Sequence, residues 1–210
     1  MRYDFLIKKV NALKKFIILF VLFTSFTVSA DDKTTLQQRL AKLTGFYAQF
    51  TQIVKTADEQ LVQEGRGELW LKKPNYFYWQ MNEPDETAII SNGKDIWFYT
   101  PMVEQVVIMS LQQAVDNRLF LLITDNQSDI WDEYRVERKQ DTFNLIPLTN
   151  SAQQGFIIKI LPTGMLSRFT VIEEDGQRSI YDLSHQKLAD IPVSQFEFTV
   201  PSNVTVDDQR

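Results

Sequence analysis

The chain has no cysteine, a single histidine (His185), and only seven glycines in 210 residues. Without thiols there are no disulfides, no thiolate nucleophile and no cysteine ligand for zinc. His185 lies in the polar stretch SHQKLAD, which reads as an exposed loop or strand end, and one His cannot build a metal cluster. No Gly-x-Ser-x-Gly elbow, glycine-rich phosphate loop or calcium-loop spacing is present. Two acidic groups, Glu83/Asp85/Glu86 and Glu173/Glu174/Asp175, offer the residue types of a glycosidase pair. Both fall at predicted turns, where carboxylates normally satisfy local backbone groups. Neither enzyme activity nor a cofactor or metal is expected.

The first 30 residues combine a basic start (Arg2, Lys8, Lys9, Lys14, Lys15), an apolar run from Phe16 to Val28, and Val28-Ser29-Ala30 before Asp31. This is the pattern of an export signal cleaved after Ala30, and the apolar core is short for a spanning helix of roughly 20 residues. Residues 31–210 then form one expected domain, with no repeat, low-complexity tract or linker to divide it. An exported lipid-modified protein would carry a cysteine at the cleavage site, so the mature chain is expected to be unanchored. Losing five bases and one acid leaves 17 Lys/Arg against 26 Asp/Glu, a formal charge of −9. That charge repels nucleic acid and anionic lipid heads, so only transient membrane contact is expected.

Leu36, Leu40, Leu43 and Tyr47 recur at helical spacing behind Asp31 and Asp32, predicting an amphipathic helix to about Thr44. From Phe46 the period changes to two, and strands dominate afterwards. They are predicted at 46–54, 66–72, 75–81, 86–91, 95–99, 103–108, 131–138, 142–148, 155–161, 165–173, 177–183 and 195–200. Asn92-Gly93, Thr163-Gly164 and Asp175-Gly176 read as two-residue hairpin turns, so an antiparallel meander is expected, curled into a barrel or sandwich. Between Ser110 and Asn126 the alternation stops. SLQQAVDNRLFLLITDN predicts a short helix, a turn near Asp116-Asn117 and a very apolar helix around Leu119 to Ile123, placed over the open end of the sheet.

Eight aromatic residues fall between Trp70 and Tyr99. In a period-2 reading Phe77, Trp79 and Met81 share one face and Tyr76, Tyr78 and Gln80 the other, whose polar tips reach water. The first face requires an apolar partner. An ordinary core would satisfy it, and so would a hydrophobic ligand; an exported, unanchored chain with a helical insertion favours the ligand. The rival readings are a lipocalin-type barrel for one small lipid, whose fixed mouth the helical insertion suits less well than a moving lid, and a permanently paired accessory protein, which would be an obligate oligomer with no empty cavity.

QEGRGELWLKKPNYFYWQM, SNGKDIWFYTPMVEQV and the terminal FEFTVPSNVTVDDQR resemble, in that order, the periplasmic outer-membrane lipoprotein carrier family, LolA. The resemblance runs from the first helix to Arg210. It implies a mainly β fold, an incomplete antiparallel β-barrel of about eleven strands with a short-helix lid over a hydrophobic cavity. It also implies a monomeric periplasmic chaperone for acylated lipoproteins. Such a chaperone accepts cargo from an inner-membrane ABC-type release complex and passes it to an outer-membrane lipoprotein receptor, without chemistry. The lipid-contacting positions carried over are Leu40, Phe77, Trp79, Met81, Ile89, Leu121 and Ile123, with Leu121 and Ile123 expected to close onto Trp79 in the empty protein. The family pattern often has an Arg before Pro that latches the lid through backbone carbonyls. This chain has Lys73 there, a point charge instead of a planar fork.

Overall fold

The computed structural model describes residues 31–113, 118–148 and 154–210. The leader and the turn near Asp116-Asn117 lie outside them. After a helix α1 (Asp32–Leu40) the chain runs through six consecutive strands: β1 (Gly45–Lys55), β2 (Leu61–Lys72), β3 (Tyr76–Glu83), β4 (Thr87–Asn92), β5 (Asp95–Thr100) and β6 (Gln105–Ser110). A second helix, α2 (Arg118–Thr124), leads to β7 (Tyr134–Lys139), β8 (Thr142–Pro147), β9 (Gly155–Ile160), β10 (Leu166–Ile172) and β11 (Arg178–Leu188), with β12 (Thr205–Asp208) at the end.

The twelve strands among the described residues belong to one sheet, ordered β12-β6-β5-β4-β3-β2-β1-β11-β10-β9-β8-β7. Two antiparallel meanders are therefore joined side by side where β11 pairs with β1, Phe50 opposite Leu183 and Ile53 opposite Ile180. The ends do not meet, so the barrel is incomplete, with β7 and β12 as its margins. On β1 the burial alternates, with Phe46, Ala48, Phe50, Gln52 and Val54 inward. Inward Gly67 on β2 is what admits the Phe50 ring, since a Cβ there would stand 2.5 Å from it and 1.9 Å from the Gln80 carbonyl oxygen.

Helix α1 ends at Leu40, earlier than predicted, and Leu43 follows it into the core. It also protects the sheet margin: the Asp32 carboxylate accepts the Arg138 backbone N–H of edge strand β7 at 3.0 Å. Arg39, 7 % exposed, donates to Asp141 and to the Ile160 carbonyl, each at 2.6 Å, and lies 5.2 Å from the Phe143 ring centre.

Five expectations need correction. The strand predicted at 195–200 is a 3₁₀ turn (Val193–Phe196) followed by irregular chain. The twelfth strand lies further on and pairs parallel with β6, so the sheet is not wholly antiparallel. Alternation in FEFTVP arises because Phe196 and Phe198 lie on the outer aromatic face, against Tyr76 (5.5 Å) and Tyr99 (5.4 Å), instead of pairing in a ladder. That face is therefore partly covered, not wholly wet. The segment predicted to open β7 at 131 is a 3₁₀ turn (Asp129–Glu133) that buries Trp131. Thr163-Gly164 and Asp175-Gly176 sit in three-residue loops, not two: Gly164 and Gly176 take φ of 91° and 83° behind a tight turn, a conformation that glycine adopts without steric cost.

Candidate functional site

The concave face of the sheet carries a connected set of rings. Trp79 stacks on Phe50 (5.7 Å, 10°), Phe50 meets Tyr181 edge-on (5.5 Å), and Tyr181 stacks on Phe169 (4.5 Å, 22°). Phe169 then meets Phe120 of α2 (6.4 Å), and Phe120 stacks on Phe77 (4.9 Å, 24°). Five of these six rings belong to strands. The sixth is a plug.

Helix α2 is too uniformly apolar to be amphipathic. Leu119 to Thr124 are all buried, and the Thr124 hydroxyl is satisfied by donating to the Phe120 carbonyl at 2.6 Å. What remains open between plug and sheet is a cavity of about 170 Å³, lined by Trp79, Ile89, Leu119, Phe120, Phe169, Val171 and Tyr181 together with Gln154 and Glu173. Drug-sized ligands occupy roughly 300–1,000 Å³, so a larger apolar guest can enter only if α2 leaves.

The residues singled out in the sequence are distributed as follows. Trp79 and Ile89 are cross-strand partners and line the same cavity. Phe77 is fully buried under Phe120, Met81 continues the same inner row, and Leu40 and Ile123 lie in the core that joins helices to sheet. Leu121 lies apart from Trp79. It lines a second cavity of about 310 Å³ on the other side of α2, with Leu111, Ile130, Asn75 and Arg118. Leu119 and Phe120 are the lid residues that share the cavity with Trp79. An uninterrupted apolar run carries no periodicity from which that orientation could be read. Phe50, Phe98 and Tyr181 were also missed, although the period-2 rule applied to β1, β5 and β11 places them on the inner face.

Lys73 lies on the turn between β2 and β3, beside the C-terminal end of α2. Its Nζ donates to the Asn126 side-chain oxygen at 2.9 Å, not to a backbone carbonyl. Asn126, two residues beyond α2, in turn donates to the Gln37 carbonyl of α1 (2.9 Å) and accepts from the Gln37 side chain at its own carbonyl (3.3 Å). Asn75, held in the left-handed region at φ 61°, reaches Asp125 at 3.4 Å. Burial pushes the Lys73 ammonium down to about 8, against the opposing pull of the Asp125 carboxylate.

The remaining polar candidates are solvated or locally bonded. Glu83 pairs with Arg66, Asp175 accepts the Gln177 backbone N–H at 2.9 Å, Glu173 accepts from Gln154 at 3.0 Å, and His185 is exposed on β11. Among the described residues no group of three or more His, Cys, Asp or Glu is placed to hold a metal, and no helix is long and apolar enough to cross a membrane.

An open β-barrel with an aromatic concave face, filled by a short apolar helix that is hydrogen-bonded at its end, defines a lidded apolar-cavity protein. Residues 41–199 match the family described as outer membrane lipoprotein carrier protein LolA, and the chain belongs to that family. It is 46 % identical over 187 residues to the outer-membrane lipoprotein carrier protein of Yersinia pestis bv. Antiqua (strain Angola), covering 89 % of this chain and 93 % of that one. The protein of the same description from Yersinia enterocolitica is 46 % identical over 182 residues, covering 86 % and 90 %. Among solved structures, an uncharacterized conserved protein from Thermus thermophilus shares the fold at a TM-score of 0.54 and 15 % identity, over 84 % of this chain and 98 % of that one.

Proposed function

We propose that this protein is a periplasmic lipoprotein carrier: it holds the acyl chains of a lipoprotein against the rings of its concave sheet after α2 has swung away. The observation that carries the reading is that plug, an uninterrupted apolar helix filling a ring-lined cavity. On this reading the leader is cleaved after Ala30 and residues 31–210 act as one monomeric domain. Cargo comes from an inner-membrane ABC-type release complex and goes to an outer-membrane lipoprotein receptor. Leu40, Phe77, Trp79, Met81, Ile89, Leu121 and Ile123 contact lipid, the last two on the lid itself, and Lys73 latches it. No bond is made or broken.

The magnitudes are consistent with reversible exchange. Withdrawing Leu119, Phe120, Leu122 and Ile123 from the core costs about 1.5–3 kcal/mol each. Cargo with tens of methylenes returns about 0.8 kcal/mol for each one buried, enough to hold the lid open. The lid's tendency to close opposes retention, so a receptor without that competitor takes the cargo. Because burial is non-directional, lipoproteins sharing only their lipid are all accepted.

The test is to incubate the purified mature protein with spheroplasts and ask whether newly made lipoproteins appear in the soluble fraction bound to it one to one. Retention of every lipoprotein on the membrane, with release machinery active, would instead favour a free lipid as ligand. Phe77→Glu places a carboxylate under Phe120 and should abolish loading; normal loading by that variant would remove Phe77 from the site.

A further inference from the structure

One polar side chain interrupts the inner row of β1. Gln52 follows Phe46, Ala48 and Phe50 inward, is only 7 % exposed, and donates from Nε2 to the Tyr181 hydroxyl at 2.8 Å. Its oxygen, Oε1, is buried with no hydrogen-bond partner among the described residues. A buried carbonyl left in that condition costs stability, and its retention calls for a reason.

No side chain of β2 stands opposite Gln52. Its register partner on β2 is Gly65, and a Cβ there would come within 3.1 Å of Oε1 and 2.9 Å of the Met81 sulfur. On the inner side, the hydroxyl that Gln52 bonds belongs to Tyr181, a wall of the ring-lined cavity of about 170 Å³. Burial pushes the Tyr181 phenol up to about 12, so the Gln52–Tyr181 pair is uncharged at neutral pH and makes no ion site.

Along the inner row of β1, Phe46, Ala48 and Phe50 give way at Gln52 to an amide, beside Met81 at the end of the inner row of β3. An acylated lipoprotein has the same order: hydrocarbon, then the linkages on the modified amino-terminal cysteine, then peptide. Esters and a thioether carry no N–H; the N-acyl amide does. Resting on the carrier reading above, we propose that Gln52 Oε1 accepts a hydrogen bond from the N-acyl amide N–H of the cargo's lipid-bearing cysteine, fixing how deep the acyl chains enter.

Two synthetic triacylated lipopeptides test this, identical except that one has the N-acyl amide and the other an ester oxygen in place of that N–H. Their affinities for the mature protein are read by displacement of an environment-sensitive fluorophore from the cavity. The wild-type protein should bind the amide form about 3- to 10-fold more tightly, the range of one buried hydrogen bond. Gln52→Met should bind both forms alike. Equal wild-type affinities would overturn the proposal without any variant, as would a Gln52→Met protein that keeps the preference or loses affinity equally for both forms. Failure of the folded wild-type protein to bind either lipopeptide would instead defeat the carrier reading and this contact with it.

Discussion

The two helices lie over the same open sheet and are held to it by different forces. Helix α1 is bonded to the sheet margin by Arg39 to Asp141 and Ile160, by Asp32 to the Arg138 N–H, and by Lys33 to Asp132 at 2.9 Å. Among the described residues α2 has no such ties along its buried length; apolar contact holds it there, and its polar bonds gather at the ends, at Arg118–Glu133 and at Asp125 and Asn126. Directional bonds fix one geometry, whereas hydrophobic contact can be exchanged for any other apolar surface at little loss. On the carrier reading helix α1 is therefore a wall, and α2 the plug that lipid replaces.

Phe120→Ala should disturb this contrast most. It removes the ring stacked on Phe77, at a cost of about 3–5 kcal/mol, and amide hydrogen exchange should quicken across α2 while α1 amides keep their protection. Equal quickening in both helices would mean that they open together. Arg39→Ala should produce the converse with a smaller effect, about 1.5–3 kcal/mol for hydrogen bonds to a charged group. It should lower the melting temperature of the whole domain without selectively releasing α2.

Lys73 gives a pH handle. Its pKa is about 8 with the lid closed and returns toward 10.5 when opening rehydrates it. Below pH 8 the ammonium is charged in both states and the closed lid bears its full desolvation. Between 8 and 10.5 the open state binds more protons, so the closed state gains stability as pH rises. Exchange in α2, corrected for intrinsic rates, should therefore slow from about pH 7 to about 9.5; Lys73→Arg, which stays charged, should flatten the dependence. Lys73→Leu should speed lid exchange at neutral pH, and an unchanged rate would refute the latch. The smallest effect should come from Lys33→Ala, an exposed pair worth about 0.2–1 kcal/mol, visible only as a slight shift in the melt.

Counting along the chain was enough to place the strand periodicity of β1 to β11, the inner face of Phe77, Trp79 and Met81, and an apolar helix where alternation stops, because side-chain direction in a strand follows from counting by two. Periods carry no information about what a face packs against. That Phe120 meets Phe77 while Leu121 turns away was settled by packing, since a helix apolar all round has no preferred side until the sheet supplies one. Packing also made Phe196 and Phe198 cover outer rings instead of forming a strand and laid β12 parallel on β6, because these contacts join segments about a hundred residues apart in sequence. Gln52 belongs to the same class. Its place in the inner row was legible, but its unpartnered oxygen exists only once Tyr181, Gly65 and Met81 are brought around it.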